Sequence, residues 1–329
     1  MIISSWNIRG LDGAGKLSMV KNFKNKSRLD MLGLIETKKE LVTKFDVMRI
    51  WGRDGAGWEY VSSVGASRGL LLIWDETVFK LINCYKGDRW MCVEGVVIKD
   101  QFQCAVCLVY GAHVRAEKRV VWEELSYIAG LCQVPVCFLG DFNEAMHLEE
   151  RKEATTLSAS AEDFRDWIND MELVDLSLND RRYTWFRGSS CSRIDRSLVT
   201  LGWLEMYPGT RLRGGPRGLS DHCPLIMEES RKFDGPRPFR SLDSWFTHEG
   251  FLRMVKEEWR ELGDRQFLDK MKVLSIPVQR WHKQHFGNIA EKIRKFEEEI
   301  KKVDDMVSSG MHDGTLELRR RALVRCCEK

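Results

Sequence analysis

The chain has no long apolar run and little net charge. In its 329 residues no apolar stretch approaches the roughly 18 residues that a membrane-spanning helix needs, which argues against a membrane protein. The first apolar segment begins at Met1 and meets the polar Asn7 too soon to form a secretory signal peptide. The formal charge is only +3 at pH 7. We therefore expect an intracellular protein that is neither secreted nor membrane-bound.

Cysteine pairs with metal-binding spacing are nearly absent, although the chain has ten cysteines. Most of them stand singly in apolar segments, where a free cysteine behaves as a small hydrophobic side chain. Cys104 and Cys107 have the CxxC spacing, but they face opposite ways on a strand and no second pair follows. His282 and His285 lack nearby cysteine partners, so we interpret them as polar positions on a helix or loop. The sequence therefore predicts reduced cysteines and no structural zinc site.

Short apolar segments alternate with amphipathic stretches, and 43% of the residues are hydrophobic, enough for a proper core. The strands are predicted over residues 2–8, 31–36, 70–74, 91–98, 103–110 and 134–142, and the helices over residues 17–27, 118–132 and 161–171. This alternation predicts an α/β fold, in which active-site side chains collect where strands end. Asn7 and Asp141 lie at such ends, and His222 adds an imidazole.

These side chains suit cleavage of a phosphodiester bond. Such a bond resists hydrolysis because its negative charge repels the nucleophile, so a catalyst must neutralise charge, direct a water and assist the leaving oxygen. Mg²⁺ needs few protein carboxylates and keeps most of its waters, which fits Glu36 at the end of an apolar run with Asn7 as a neutral neighbour. The residues therefore predict a small, open magnesium site.

Asp141 and His222 are the candidates for proton transfer. If the extended backbone continued after Asp141, the Asn143 amide would lie on the same side and hold the water or a phosphate oxygen. His222 is a candidate donor to a phosphate oxygen, and Asp195 has the right type to fix its tautomer and favour its charged form. Each residue alone has a structural alternative, since Asp and Asn are common at turns and Asp195 beside Arg196 suits a surface ion pair.

Six short motifs occur in the order found in the endonuclease/exonuclease/phosphatase superfamily, and the chain resembles its members deoxyribonuclease I and the apurinic endonucleases. The motifs are Asn7 and residues 34–37, 108–111, 140–143, 192–195 and 220–224. A narrower resemblance, to the endonuclease domain of plant LINE-type non-LTR retrotransposons, is carried by residues 5–11, 183–186, 193–199, 203–208 and 219–225. The resemblance implies a four-layer α/β sandwich like that of deoxyribonuclease I.

The resemblance also implies a metal-dependent endonuclease that nicks DNA. Glu36 would be the principal metal ligand, Asn7 would lie close by, and Asp221 would lie near the metal or the leaving group. The implied cofactor is Mg²⁺, for which Mn²⁺ can substitute. The implied partner is DNA.

The same resemblance implies roles in proton transfer and phosphate binding. Asp141 would orient or deprotonate the water, and Asn143 would assist it. Tyr110 would contact the phosphate, and Asp195 would pair with His222.

Three positions depart from the wider family pattern. Ala112 and His113 replace a proline and an asparagine that follow the tyrosine in many relatives, so the resemblance does not extend to the phosphate contact made there. Arg9 replaces an acid of the apurinic endonucleases, which argues against a dedicated repair enzyme. The alternatives are an inactive nucleic-acid-binding remnant and a phosphomonoesterase or lipid phosphodiesterase. The latter ranks lower because residues 140–145 lack the signature of inositol polyphosphate phosphatases.

A charged stretch rich in glycine and proline, residues 229–240, predicts a linker. It separates an endonuclease/exonuclease/phosphatase domain at residues 1–228 from a helical region at residues 241–329, so we expect a chain ending near Glu229 to fold and act alone. In the helical region apolar residues recur every three or four positions over residues 289–307. A helix packed on its own chain is the favoured interpretation, and self-association through this stripe is the alternative.

Residues 281–289 resemble the connector between endonuclease and reverse transcriptase in plant LINE-type elements, and no polymerase core follows. The resemblance implies a truncated element, or a host gene derived from one, that acts in the nucleus with element RNA as a further partner. Arg68, Arg187 and Arg217 are available to contact phosphates. The basic run at residues 319–321 is better explained as a solvated helix face than as a nucleic-acid site.

Overall fold

The described residues of the computed structural model are 1–52, 54–65, 67–229, 243–246, 248, 250–263, 266–286, 289–310 and 314–328. The chain divides into two compact units. The main unit joins Met1–Arg231 to Glu299–Lys329, and the second unit is Lys232–Glu298. The predicted linker lies outside the described residues except for Glu229.

The first sheet of the main unit has six strands. In spatial order they are β13 (Thr210–Gly214), β14 (Leu225–Glu229), β1 (Ile3–Asn7), β2 (Met31–Ile35), β4 (Ser67–Asp75) and β3 (Ala56–Val64). β1 and β2 are parallel, and the other neighbours are antiparallel. The carboxyl ends of the two central strands therefore meet at one edge of the sheet.

The second sheet also has six strands. In spatial order they are β5 (Phe79–Lys86), β6 (Trp90–Val97), β7 (Phe102–Tyr110), β8 (Val136–Asp141), β12 (Asp195–Val199) and β9 (Val174–Asp175). β7 and β8 are parallel, and the other neighbours are antiparallel. A separate hairpin pairs β10 (Trp185–Arg187) with β11 (Ser190–Ser192).

Helices cover both sheets and continue into the C-terminal part. Those before the predicted linker are α1 (Ala14–Ser27), α2 (Lys44–Trp51), α3 (Arg115–Cys132), α4 (Ala159–Asp170) and α5 (Leu201–Met206). Those after it are α6 (Asp243–Phe246), α7 (Phe251–Glu261), α8 (Phe267–Phe286), α9 (Ile289–Ser308) and α10 (Gly314–Glu328). Local signals set some of the boundaries, since Thr43 caps α2 in a capping box and Ser158 accepts the Ala161 N–H at the start of α4.

The core explains why the strand sequences are nearly continuous apolar runs. On β2, Met31 and Ile35 point between the two sheets, whereas Leu32 and Leu34 point outward against α1 and α2. On β7 the even-numbered positions face the other sheet, and the odd-numbered positions pack against α3 and α4. Both faces of inner strands such as β2 and β7 are therefore buried, which strands covered on two sides require. The order helix, sheet, sheet, helix confirms the predicted four-layer α/β sandwich.

The cysteines behave as predicted in the described part of the chain. Cys104 lies in the core between the sheets, and Cys107 lies in the outer core under α3, so the CxxC pair is split between two faces. Both are free thiols. No helix among the described residues is long and apolar enough to cross a membrane.

The final helical segment packs with the main unit, unlike the predicted division at residues 241–329. Val307 is buried in a cluster with Tyr183, Phe186 and Cys223. Ile300 and Val303 are also buried, which supports the interpretation that the apolar stripe of α9 packs on its own chain. The second unit has its own small core, formed by Trp245, Phe251, Leu274, Val278 and Trp281.

Candidate active site

Sheet topology collects the predicted side chains at one edge of the main unit. β1 and β2 are parallel and in register, so Asn7 at the end of β1 lies beside Glu36, which follows β2. In the second sheet, Tyr110 at the end of β7 pairs with Asp141 at the end of β8. β12 is antiparallel to β8, which places its first residue, Asp195, opposite Asp141. Residues from five strands therefore meet at a single place.

Backbone conformation helps to position two of the carboxylates. Gly140 has φ +146°, and a Cβ there would lie 2.1 Å from the Val109 carbonyl oxygen, so only glycine fits before Asp141. Glu36 has φ 53°, a left-handed conformation that costs about 1–3 kcal/mol in residues with a Cβ and is common at functional sites. Its carbonyl accepts the Gly10 N–H at 2.6 Å, which helps to hold it there.

Asp195, His222 and Asp141 form a buried row. His222 Nδ1 lies 3.0 Å from Asp195 Oδ2, and His222 Nε2 lies 3.8 Å from Asp141 Oδ2. Burial lowers the pKa of His222, but the two neighbouring carboxylates outweigh it and raise that pKa to about 9. Burial raises the pKa of Asp141 above its ordinary range, and His222 opposes the shift. The row therefore holds an imidazolium beside a carboxyl group of raised basicity.

Neighbouring polar groups fix this row, and sequence reasoning gave them no role. The Thr184 hydroxyl accepts the Asp195 N–H at 3.0 Å. The Ser220 hydroxyl donates to the Asn7 carbonyl at 2.7 Å and accepts the His222 N–H at 3.1 Å. Both residues lie within motifs 183–186 and 220–224. They tie β1, β12 and the histidine loop into one rigid frame.

The structural alternative for Asp195 is wrong. Arg196 is fully buried and does not form a surface pair with Asp195. Its guanidinium bonds Asp175 at 2.7 Å and also bonds Glu150. Since Arg196 bonds those carboxylates, the Asp195 carboxylate is left to His222.

Glu36, Asn7 and Tyr110 form a second group beside the row. Glu36 Oε1 accepts the Asn7 amide at 2.9 Å and the Tyr110 hydroxyl at 3.1 Å. The same Asn7 amide nitrogen donates to Asp141 Oδ2 at 3.0 Å, so one residue joins the two groups. Burial and the nearby Glu36 raise the pKa of Tyr110, which therefore stays protonated and acts as a donor.

Asp221 is a third side chain with an oxygen of the type that binds metal ions. Its Oδ2 accepts the Arg9 guanidinium at 2.7 Å and the Trp185 indole N–H at 3.2 Å. Its Oδ1 is buried and has no partner among the described residues. A buried carboxylate oxygen without a partner is costly, so it marks a place for a cation. Glu36, Asn7 and Asp221 together offer the hard oxygen ligands that suit Mg²⁺.

The buried row also has metal-ligand atoms close together. Those of Asp141, Asp195 and His222 all lie within 4.8 Å of one another. His222 Nδ1 is already bonded to Asp195, and Mg²⁺ prefers oxygen to imidazole ligands. This group therefore suits proton transfer better than magnesium binding.

A cleft of about 590 Å³ opens above the buried row and the neighbouring group that contains Glu36 and Tyr110. Its cationic lining consists of Arg9, Arg115, Lys118, Arg151 and Arg187. Glu36, Tyr110, Asp141, Asn143 and His222 also reach it. Carboxylates beneath several basic side chains suit an anionic ligand that needs both a metal and phosphate-binding groups.

Some basic residues have roles that the sequence did not indicate. Lys118 is buried and bonds the Glu144 carboxylate at 2.5 Å and the Asn143 carbonyl at 2.8 Å, so it supports the loop after β8. Arg68 meets Asp88 at 3.5 Å and does not line the cleft. Arg217 is buried in an ion pair with Asp304. Of the three arginines proposed for phosphate contacts, only Arg187 lines this cleft.

Asn143 lies in the site but not in the predicted conformation. Its φ of 51° is left-handed, so the extended backbone ends at Asp141. Its N–H donates to Asp141 Oδ1 at 3.0 Å, and its amide donates to the Gly111 carbonyl at 2.8 Å. Of the two departures near Tyr110, His113 lines the cleft, and burial lowers its pKa. A neutral imidazole thus stands where relatives have an amide.

Two stacked mixed sheets, with acidic and imidazole groups at their common edge, define a deoxyribonuclease I-like protein. The sequence matches the Endonuclease/Exonuclease/phosphatase family over residues 4–222. The chain therefore belongs to that family, whose members are hydrolytic nucleases and phosphatases. No curated protein matches the chain.

Solved structures with this fold include enzymes and an element-encoded domain. The 3′ phosphatase NExo from Neisseria, bound to product DNA hairpin, is 19% identical with a TM-score of 0.56, covering 70% of this chain and 100% of its own. An AP endonuclease from Archaeoglobus fulgidus is 18% identical, with the same TM-score and coverage. The endonuclease domain of TRAS1, a telomere-specific non-LTR retrotransposon, is 14% identical with a TM-score of 0.52, covering 70% and 99%. These identities show the fold alone.

Proposed function

We propose that the chain is a Mg²⁺-dependent endonuclease that hydrolyses phosphodiester bonds and nicks duplex DNA. The observation that carries this proposal is the buried Asp195–His222–Asp141 row beside Glu36, on the floor of a basic cleft. A row of this kind supplies an acceptor and a donor of protons within a few ångströms of each other. The basic walls supply attraction for a phosphate backbone.

Asp141 is the proposed proton acceptor for the attacking water. Asn143 N–H and the Asn7 amide each hold one of its oxygens, at 3.0 Å. Burial raises its pKa, so it is a stronger base than an exposed aspartate, and a base with a pKa nearer neutrality transfers protons more efficiently. The fixed orientation aims it at one position in the cleft.

His222 is the proposed cationic donor to the phosphate. Asp195 holds Nδ1, which leaves Nε2 directed toward Asp141 and the cleft. The raised pKa of His222 keeps it protonated at neutral pH, so its N–H can stabilise charge that develops on a phosphate oxygen. Tyr110 contributes a second hydrogen-bond donor, which is neutral. It lies beside Asp141 on β7, whereas Asp195 lies beside Asp141 on β12.

Glu36, Asn7 and Asp221 are the proposed ligands of Mg²⁺. When bound, Mg²⁺ supplies positive charge that offsets charge on the phosphate oxygens. Arg9 already neutralises one oxygen of Asp221, which makes this ligand weaker than Glu36. We therefore assign Glu36 the principal role and Asp221 a supporting one.

Nicking of a supercoiled plasmid tests the proposal. The full chain should convert supercoiled DNA to open circles with Mg²⁺ or Mn²⁺, and EDTA should stop the conversion. Release of phosphate from small phosphoesters without nicking would favour a phosphatase. DNA binding without any turnover would favour an inactive binding remnant.

An origin in a LINE-type non-LTR retrotransposon is part of the proposal. Its support is the set of motifs at residues 183–186 and 193–199, together with the connector-like residues 281–289. A nuclear site of action and element RNA as a partner would follow from that origin. The fold shared with the TRAS1 domain is compatible with it.

A further inference from the structure

A second cleft of about 600 Å³ lies beside the active site within the main unit. Its charged lining consists of Arg9, Arg187, Arg217, Arg320 and Arg321 with Asp221 and Glu317, and we call this cleft the arginine groove. Part of its wall comes from α9 and α10, and the rest comes from the hairpin β10–β11 and the loop before His222. Five guanidinium groups face two carboxylates, so the groove carries an excess of positive charge.

Two of these arginines are buried and share one carboxylate. Arg217 and Arg320 are 4% and 2% exposed, and they bond Asp304 Oδ1 at 2.9 and 3.1 Å. Arg320 also donates through Nη1 to the Gly218 carbonyl at 3.2 Å. Its Nη2 is buried and has no partner among the described residues. A buried donor of this kind is costly unless an acceptor reaches it, which points to an anionic ligand.

Two other arginines are exposed and available. Arg187 lines both the arginine groove and the active-site cleft, and its guanidinium has no ion pair or hydrogen bond within the described structure. Among the described residues Arg321 pairs with Glu317 alone, at 3.3 Å, and its side chain is 65% exposed. Such a surface pair contributes about 0–1 kcal/mol, so a phosphate can replace the carboxylate at little cost.

The two clefts lie side by side and share part of their walls. Arg9 and Arg187 line both of them, and Asp221, one of the proposed metal ligands, is also part of the groove lining. A strand whose scissile phosphate lies over Asp141 and His222 can therefore extend into the groove. Guanidinium groups present parallel N–H donors that match phosphate oxygens.

We infer that the arginine groove binds a backbone phosphate of the DNA strand beside the scissile phosphate, with the C-terminal segment 299–328 forming part of the substrate surface. This inference rests on the proposed function, because it assigns substrate contacts to the same site. It replaces the interpretation of residues 319–321 as a solvated face, since Arg320 is buried and Arg321 lines the groove.

Neighbouring arginines on one helix allow a matched test. Arg321→Gln removes a groove cation, whereas Arg319→Gln removes a cation that pairs with Glu299 at 2.6 Å, is 57% exposed and does not line the groove. Arg187→Gln removes the second exposed groove cation. The full chain and each variant would be titrated with a short fluorescein-labelled DNA duplex, in EDTA to prevent cleavage, at several salt concentrations. Unfolding temperatures would establish that all the variants fold.

In each groove variant, the plot of log association constant against log salt concentration should be less steep by about 0.9, because one phosphate contact is lost. If the variant and the unmodified chain bind equally at 1 M salt, this difference in slope makes the variant bind about eightfold more weakly at 0.1 M salt. Arg319→Gln should bind like the unmodified chain. The double variant of Arg187 and Arg321 should lower the slope by about twice as much as either single variant.

Equal slopes for Arg321→Gln, Arg187→Gln and Arg319→Gln would overturn the inference, as would an unmodified chain that does not bind the duplex. The plasmid assay separates this outcome from failure of the proposed function. Nicking without groove-dependent binding leaves the proposed function standing and removes the groove. Groove-dependent binding without nicking supports the groove and contradicts the proposed function.

Discussion

Asp195→Asn removes one negative charge 3.0 Å from His222 Nδ1 and leaves the size of the side chain unchanged. Burial lowers the pKa of His222, and Asp195 and Asp141 raise it to about 9, so the imidazolium persists until the pH passes that value. An opposite charge at this distance shifts a pKa by about 1–3 units. Without Asp195 the imidazolium loses its proton earlier, and the alkaline limb of the activity profile should move down by about 1–3 pH units.

Initial rates of plasmid nicking across the pH range measure this shift. His222→Ala should reduce the rate by about 10²–10⁴, as expected for loss of a proton-transfer group. The double variant with Asp195→Asn should be little worse, because the carboxylate acts only through the imidazole. Asp100→Asn, which alters an aspartate bonded to Tyr207 and outside both clefts, is the matched control. Additive losses with an unmoved alkaline limb would refute the pairing.

Glu36→Gln should lower nicking at low Mg²⁺ and regain part of it at high Mg²⁺, because a neutral oxygen ligand remains. A Mg²⁺ titration of the rate checks this, and an unshifted curve would contradict the metal role. A chain ending at Glu229 should unfold about 7 °C lower, since it loses the burial of Val307 against Tyr183 and Phe186 at about 1.5–3 kcal/mol, and each kcal/mol lowers the midpoint by about 2–4 °C. Calorimetry measures the midpoint, and equal midpoints would show that residues 299–329 add no stability to the main unit.

The strand ends could be predicted because residue type and apolar runs are local properties. The six predicted strands and three predicted helices occur at the expected places, with bounds that shift by a few residues. The other strands, β3, β5 and β9–β14, and the helices α2 and α5 were not predicted. β5 lies at an edge and is largely exposed, so Phe79–Lys86 lacks the apolar run that marks a buried strand.

The pairing of distant segments could not be predicted from periodicity. Asp195 lies opposite Asp141 because β12 pairs with β8, and the apolar pattern of a strand does not specify which distant strand becomes its neighbour. The left-handed conformation of Asn143, two residues after the last residue of β8, was not predicted either. The family resemblance supplied the candidate set in this region, whereas residue chemistry alone left a structural alternative open for each member.

The C-terminal segment shows a different limit of sequence reasoning. A run of three arginines at residues 319–321 resembles a solvated basic face. Arg320 is nevertheless buried, because Asp304 and the Gly218 carbonyl lie where its guanidinium reaches them. Such long-range partners, more than 100 residues away for Gly218, are set by tertiary packing.

The most direct test of the central claim is the single-turnover nicking rate of Asp141→Asn beside that of the unmodified chain, with DNA affinity and unfolding temperature measured on the same samples. Burial disfavours the charged form of Asp141, as the raised pKa shows, so the neutral asparagine should not lower the unfolding temperature. We expect unchanged duplex binding and a rate reduced by about 10²–10⁴. A near-normal rate in a folded, DNA-binding Asp141→Asn chain would contradict the central claim.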